Sequence, residues 1–527
     1  MGELATVAGR TWWDLVEDVS ASTPDRTLLT DTRGRALTCR QYRDAAERVG
    51  AGLHELGLRP GMVLSWQLPT TLEAAVLMSA AARLGLVQNP LMPVLRDREL
   101  DHIFTQLRPD ALVAPRQFRG YDHAALAERI AAGHGARPVI CDLPGPEDLA
   151  LPQADPATLP KAAGPGQVPR WVFYTSGTTG TPKGVRHTDP SVLAASNGFL
   201  SELLVGPGDV VSVAFPVTHI GGPAMMAAAL RSRARTVLTD VFNPVTTPDQ
   251  FAEAGVTLLG SAPPFFEAYL AAQARHGEQK LFPSLRLCVN GGAPPLAEHY
   301  ERLPRELGAG LYNGYGMTEC PVLGFTPYAP DRPTPADGDV MVPAAGVEVM
   351  ATDPDGRRLP AGEEGELRVR GPQLFSGYVG VGDAASSLDH EGFFASGDLG
   401  VVDSTGAFRV TGRLKDVILR NAESISAPYV EAELAMHPDI AEVSVVGLAD
   451  PRSGERCCAF VVLAEGARRL QLQDLNQFCT QRGLARYQIP EQLELVESLP
   501  RTPMGKVQKH ALRDLAEHGI AHPRPES

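Results

Sequence analysis

The seven cysteines, Cys39, Cys141, Cys288, Cys320, Cys457, Cys458 and Cys479, contain no C-x-x-C pair and no neighbouring histidine at metal-ligand spacing. That scatter and the odd count argue against a disulfide framework or a zinc site and suit a reducing cytoplasm. Basic blocks are missing too. With 48 Lys and Arg against 62 Asp and Glu, the net charge is −14, and no segment offers the footprint a nucleic-acid backbone requires. No run of about 18 apolar residues occurs, so no membrane span is expected. Met1–Asp18 has no basic stretch leading into an apolar one, so no secretory leader is expected either. What is present is 43% apolar and 21% charged residues over 527 positions, the composition of a globular chain with roughly three or four compact units.

The first part of the chain alternates helix and strand signals, the pattern of parallel sheet covered by helices. Thr38 and Gln41 have capping-box spacing, Tyr42, Ala45, Ala46, Val49, Leu53 and Leu56 follow at helical intervals, and Gly57 supplies a stop. Met62 to Leu68 reads as a buried strand and Leu72 to Leu84 as a helix ended by Gly85. Seven prolines between Leu143 and Arg170 mark a connector long enough to suggest a subdomain boundary. A second run of alternation covers about 240 to 290, with strands at Val256 to Leu259 and Leu285 to Val289. Residues 340 to 411 carry hairpin signals around Asp353-Pro354-Asp355-Gly356 and Asp403-Ser404-Thr405-Gly406. The remainder mixes helices near 429–436, 470–479 and 510–517 with strands near 442–447, 457–463 and 493–496.

The densest motif is Tyr174-Thr175-Ser176-Gly177-Thr178-Thr179-Gly180-Thr181-Pro182-Lys183-Gly184, entered from the apolar Trp171-Val172-Phe173. Glycines let backbone N–H groups turn inward, the hydroxyls donate, and Lys183 adds positive charge, so the loop can hold a polyphosphate. It is not a P-loop, because Pro182 sits where a glycine must precede the lysine and no Ser or Thr follows it. A generic Gly/Thr loop is a surface turn; this order of residues is far more specific.

The string resembles the phosphate-binding motif of the adenylate-forming superfamily: acyl- and aryl-CoA synthetases, adenylation domains of peptide synthetases, and beetle luciferases. Four further stretches resemble that family's motifs in order and spacing. They are Asn290-Gly291-Gly292-Ala293-Pro294, Tyr312-Asn313-Gly314-Tyr315-Gly316-Met317-Thr318-Glu319, Ser396-Gly397-Asp398 with Gly412-Arg413-Leu414-Lys415-Asp416, and Pro500-Arg501-Thr502-Pro503-Met504-Gly505-Lys506. The resemblance implies an α/β fold. Residues 1–411 form a large N-terminal domain of two α/β layers, with a small β-barrel-like subdomain at about 340–411, and 412–527 form a small, mobile α+β domain.

It also implies a set of roles. Thr175, Ser176, Gly177, Thr178, Thr179, Gly180 and Lys183 hold the phosphates of ATP. Gly291, Gly292, Ala293 and Pro294, with Asn313, Gly314, Tyr315 and Gly316, form the nucleotide site. Gly291 and Gly292 directly follow a predicted strand, at the carboxyl edge where α/β sheets bind ligands, and Tyr315 offers a face for a flat adenine. A tight turn alone also explains the glycine pair. Thr318 is expected to hold the α-phosphate and Glu319 the Mg²⁺ that accompanies ATP, although an isolated Thr-Glu pair more often opens a helix. Asp398 accepts from the ribose hydroxyls with Arg413 assisting; singly, an Asx-turn and a surface ion pair are the simpler readings. Lys415 falls at the interdomain hinge, and Lys506 reaches the active site as the catalytic lysine, stabilising charge when a carboxylate attacks the α-phosphate.

Phe215-Pro216-Val217-Thr218-His219-Ile220-Gly221-Gly222 corresponds to the family's acyl-pocket lining, with His219 at the position of an aromatic gate. Members taking α-amino acids carry aspartate where Pro216 stands, and an ammonium left unpaired in an apolar pocket is costly, so amino acids are disfavoured. Gly221, Gly222, Ala224, Met225 and Met226 suit an apolar acid, or are ordinary core. Asn421-Ala422 replaces the Gly-Gly that lies near the pantetheine in thioester-forming relatives. The leading expectation is an AMP-forming carboxylic acid:CoA ligase using ATP, Mg²⁺ and coenzyme A. A stand-alone adenylating enzyme that loads a carrier protein stays open, as does a non-catalytic acyl-nucleotide binder. The expected partners are a small carboxylate, that carrier protein and a second copy of the chain.

Overall fold

The computed structural model describes residues 7, 9–143, 149–162, 164, 168–175, 182–292, 298–329, 339–380, 387–420, 423–450, 454–501 and 506–518. The chain divides into two units, Met1–Glu348 with Val369–Phe394, and Val349–Arg368 with Ala395–Ser527.

The first unit holds two α/β layers. One sheet has six strands in the order Lys183–His187, Trp171–Thr175, Val87–Pro90, Val63–Trp66, Ala111–Pro115, Arg137–Cys141. All neighbours are parallel except the first pair. The other sheet has nine strands in the order Val342–Pro343, Cys320–Phe325, Leu311–Met317, Leu287–Asn290, Leu258–Ser261, Val210–Val213, Arg235–Leu238, Thr27–Asp31, Ala36–Thr38. Its centre is parallel and its margins antiparallel.

Local chemistry explains the helices between them. In Cys39–Glu55 both bonds of the Thr38/Gln41 capping box are formed, and Leu72–Leu84 stops at Gly85. Trp12 and Trp171 meet in the core at 5.4 Å. Their polar atoms are satisfied there: the indole of Trp12 donates to Ser79 Oγ, and buried Asp189 accepts from the Trp171 indole at 2.7 Å and from Trp12 N at 3.1 Å.

Two findings differ from the sequence expectations. The proline-rich connector separates no layers, because the strands before and after it, Arg137–Cys141 and Trp171–Thr175, belong to the same sheet. Its Ala154 N–H donates to the Arg48 carbonyl, so part of it is anchored along the helix Cys39–Glu55. The second layer also begins far earlier than residue 240, with Thr27–Asp31 running parallel to Arg235–Leu238.

In the second unit, the sheet order is Glu423–Ser426, Val417–Arg420, Gly454–Leu463, Ile440–Asp450, with Gln492–Leu495 parallel to Gly454–Leu463. Strand alternation sends Val445 into one apolar cluster and Val446 into another. Glu431 of the helix Ala427–Leu434 accepts from Val445 N at 2.6 Å and pairs with Lys509 at 2.8 Å, which ties in the last helix, Lys509–His518. The expected hairpins form a four-stranded sheet of Glu348–Thr352, Glu364–Arg370, Phe394–Val402 and Phe408–Arg413.

Candidate active site

The phosphate-loop motif joins two antiparallel strands: Trp171–Thr175 enters, Lys183–His187 leaves, and Lys183 lies opposite Thr175. Among the described residues the segment after it is the strand Lys183–His187 and not a helix N-terminus, unlike a P-loop. Thr175 and Lys183 are described; Ser176, Gly177, Thr178, Thr179 and Gly180 lie outside the described residues. Alternation along the exit strand puts Lys183, Val185 and His187 on one face.

His187, at one end of that face, touches the Thr-Glu motif. Leu311–Met317 and Cys320–Phe325 form an antiparallel hairpin whose turn is Thr318-Glu319, so the pair caps a hairpin and not a helix. The glycines allow the strands to close: a Cβ on Gly316 would sit 2.0 Å from the Pro321 carbonyl oxygen, and one on Gly314 2.3 Å from the Phe325 ring. His187 Nε2 lies 2.7 Å from the Thr318 carbonyl oxygen and Nδ1 3.0 Å from Ser191 Oγ. Burial lowers the His187 pKa to about 4, so the neutral ring donates from Nε2 and accepts at Nδ1. Glu319 is gripped twice, its carbonyl oxygen by Phe375 N at 2.9 Å and its carboxylate Oε1 by the Tyr378 hydroxyl at 2.8 Å. The Lys183 ammonium stands 5.7 Å above the Tyr378 ring, within cation–π range.

The glycine motif follows Leu287–Asn290 at the carboxyl end of the parallel strands, as its pattern predicts, with Gly292 at φ +80°. Ala293 and Pro294 lie outside the described residues. Next to it, Asn290 is in register with Asn313, whose Oδ1 accepts from Asn290 Nδ2 at 2.7 Å. Tyr315 lies two residues farther along the same strand.

The acyl-pocket segment is stapled by Thr70, whose hydroxyl donates to the Phe215 carbonyl and accepts from Val217 N, both at 2.9 Å. His219 Nδ1 accepts from Gly221 N at 3.2 Å, and burial lowers its pKa to about 4, leaving a neutral ring with its proton on Nε2. Ala224, Met225 and Met226, on the helix Gly221–Ser232, are buried members of the main core.

The other candidates belong to the second unit. Asp398 and Arg413 are register partners on adjacent strands and form an ion pair at 2.8 Å, with the carboxylate side chain only 5% exposed. Lys415 has its backbone in the 3₁₀ turn Leu414–Asp416. Lys506 is exposed, just before Val507, which bridges to Arg501. Asn421 and Ala422 lie outside the described residues.

Sequence reasoning missed His187, Tyr378 and Thr70. The first had a usable signal, its even spacing from Lys183 along a strand; the other two touch the site only through tertiary contacts.

A family model described as AMP-binding enzyme matches residues 16–379, and one described as AMP-binding enzyme C-terminal domain matches 429–506. The medium-chain fatty-acid–CoA ligase of Escherichia coli (strain K12) is 31% identical over 95% of this chain and 89% of its own length. A salicyl-AMP ligase / salicyl-S-ArCP synthetase of Mycobacterium tuberculosis is 33% identical over 98% and 92%. Among solved structures, ATP-bound MatB from Rhodopseudomonas palustris shares 27% identity and a TM-score of 0.85, covering 97% of this chain and 99% of that one. With its phosphate loop between antiparallel strands, its Thr-Glu turn and these matches along nearly all of its length, the chain belongs to the adenylate-forming AMP-binding enzymes.

Proposed function

We propose that the chain is an AMP-forming acyl-CoA synthetase acting on an apolar carboxylic acid. The observation that carries this reading is the anchoring of the Thr318-Glu319 turn to the strand that begins at Lys183, through His187 on the Thr318 carbonyl and through Tyr378, which bonds the Glu319 carboxylate and lies under the Lys183 ammonium. Lys183, Thr318 and the loop hold the triphosphate. Gly291, Gly292 and Tyr315 take the adenine, while Asp398 and Arg413 take the ribose. A substrate carboxylate oxygen then attacks the α-phosphorus, the bond to pyrophosphate breaks, and Lys506 stabilises the developing charge. In the second step a thiol attacks the acyl carbonyl of the mixed anhydride, the C–O bond breaks and AMP leaves. The functional division is 1–411 as the nucleotide-binding domain and 412–527 as the mobile one, turning about Lys415 between the steps, although by contacts 349–368 and 395–411 group with the second unit.

The donor set fits magnesium. Among the described residues no three His, Cys, Asp or Glu side chains cluster as a metal cage, and Mg²⁺ with ATP needs only one or two carboxylates beside phosphate and water oxygens. Glu319 supplies that carboxylate, and the bound ion neutralises phosphate charge.

For the acyl group, Pro216 leaves no anion to pair with an α-ammonium, and the Phe215–Ile220 stretch is apolar and largely buried, so the substrate is a hydrocarbon-rich or ring-bearing acid. Coenzyme A is the acceptor, in the reducing interior of the cell. The name of the mycobacterial relative supports the second reading, delivery to a carrier protein. A panel of apolar carboxylates with ATP and Mg²⁺, assayed for AMP and pyrophosphate, decides between them. Steady turnover is expected only with CoA; stimulation by a phosphopantetheinylated carrier protein with no response to CoA replaces the first reading by the second.

A further inference from the structure

We propose that Tyr378 is a positioning residue for the divalent cation: it presets the Glu319 carboxylate and keeps Lys183 off it. The segment Phe375–Val379 lies along the free edge of the exit strand as an added strand. Ser376 N donates to the Arg186 carbonyl at 2.7 Å, Arg186 N to the Gly377 carbonyl at 2.9 Å and Val379 N to the Gly184 carbonyl at 2.8 Å, around an antiparallel bridge between Val185 and Tyr378. This approach depends on Gly184, where a Cβ would stand 2.8 Å from Val379 Cγ2. Main-chain bonds therefore fix where the tyrosine starts. From there its hydroxyl reaches Glu319 Oε1, three residues after the Phe375 N–H that holds the Glu319 carbonyl oxygen.

Three consequences follow from the chemistry of the hydrogen bond. A neutral donor orders the carboxylate without cancelling its charge, which an ammonium in the same place would do. The Lys183 ammonium instead rests over the ring face at 5.7 Å. The second carboxylate oxygen is then held in one orientation for the cation, and side-chain order that a metal would otherwise impose is already in place.

The inference rests on the proposed role of Glu319, and the test separates the two. Mn²⁺ binding to the full chain is titrated by electron paramagnetic resonance with a non-hydrolysable ATP analogue present, and analogue binding without metal is measured in parallel. Tyr378→Phe removes the hydroxyl and keeps the ring under Lys183. It is expected to weaken Mn²⁺ about 10-fold, leaving metal-free analogue binding and the melting temperature unchanged. In the Glu319→Gln background, Tyr378→Phe should add nothing. If Glu319→Gln leaves Mn²⁺ affinity intact, the metal reading falls and this inference with it. If Glu319→Gln weakens Mn²⁺ while Tyr378→Phe does not, or if the two losses add, this inference alone is overturned.

Discussion

Asp398 is 4% exposed and bound to Arg413, and under the proposed function it is the acceptor for the two ribose hydroxyls. Asp398→Ala should raise the apparent KM for ATP about 10-fold or more, since hydrogen bonds to a charged group contribute about 1.5–3 kcal/mol, with kcat changed less; pyrophosphate-release kinetics check this. Lys506→Ala should lower acyl-AMP formation by a factor of about 10² or more, while supplied acyl-AMP is still converted to thioester. Equal loss of both half-reactions would refute that division of labour. A third residue prediction concerns pH. His123 is buried, and desolvation, with Arg96 nearby, lowers its pKa to about 4, against the opposing pull of Asp122. The unfolded chain binds that proton near pH 6.5, so the stabilisation is complete above 6.5 and is lost as pH falls towards 4. In that window His123→Gln should make the decline in stability shallower by about 1 kcal/mol per pH unit, read from melting curves at successive pH values.

At the scale of elements, the Thr-Glu hairpin tolerates no side chain on its inner glycines. Gly316→Ala should force the strands apart, costing about 1–3 kcal/mol, and should reduce adenylation because the turn shifts away from His187 and Tyr378. A melting curve and a Mg²⁺ titration of activity test both parts; an unchanged Mg²⁺ profile would show that the turn had not moved. The proposed hinge is a different kind of element. Lys415→Pro, by fixing one backbone angle in the turn Leu414–Asp416, should spare adenylation and block the thiol step, which separate half-reaction assays read directly. Elements of this size were the most legible part of the sequence. Cys39–Glu55 and Leu72–Leu84 carry their own caps, so local chemistry alone marks their ends. The strands Leu258–Ser261 and Leu287–Asn290 begin two residues later than their apolar runs, because pairing with a neighbour, and not hydropathy, sets where a strand begins. The Thr-Glu turn was legible by resemblance, but its hold on His187 and Tyr378 was not, since those contacts join segments 131 and 59 residues apart.

For the whole molecule, an acyl-adenylate binds the folded chain only. A non-hydrolysable adenylate analogue at 100 times its Kd should therefore stabilise by about 2.7 kcal/mol, seen as a rise in melting temperature, whereas the free acid alone should add little of it. The two-layer plan was visible in the alternation of helix and strand signals, yet the partition of strands between layers was not. Nothing in Thr27–Thr38 says that it pairs with the second sheet and not the first, because its partners lie 206 residues away.

That pairing imposes an order on synthesis. All six strands of one sheet fall within Val63–His187, so that layer can close while the chain is still emerging. The strand Thr27–Asp31 leaves the ribosome earlier still, but its neighbour Arg235–Leu238 follows on the order of 10–40 s later at about 5–20 residues per second. Throughout that interval Leu28 and Leu29, fully buried in the finished protein, are paired on one side only, with Ala36–Thr38, and the ladder edge that Arg235–Leu238 will cover stays open. The yield of soluble protein is thus set by how well residues 27–38 are shielded during that wait, and faster elongation through residues 40–240, or a chaperone holding that segment, should raise it.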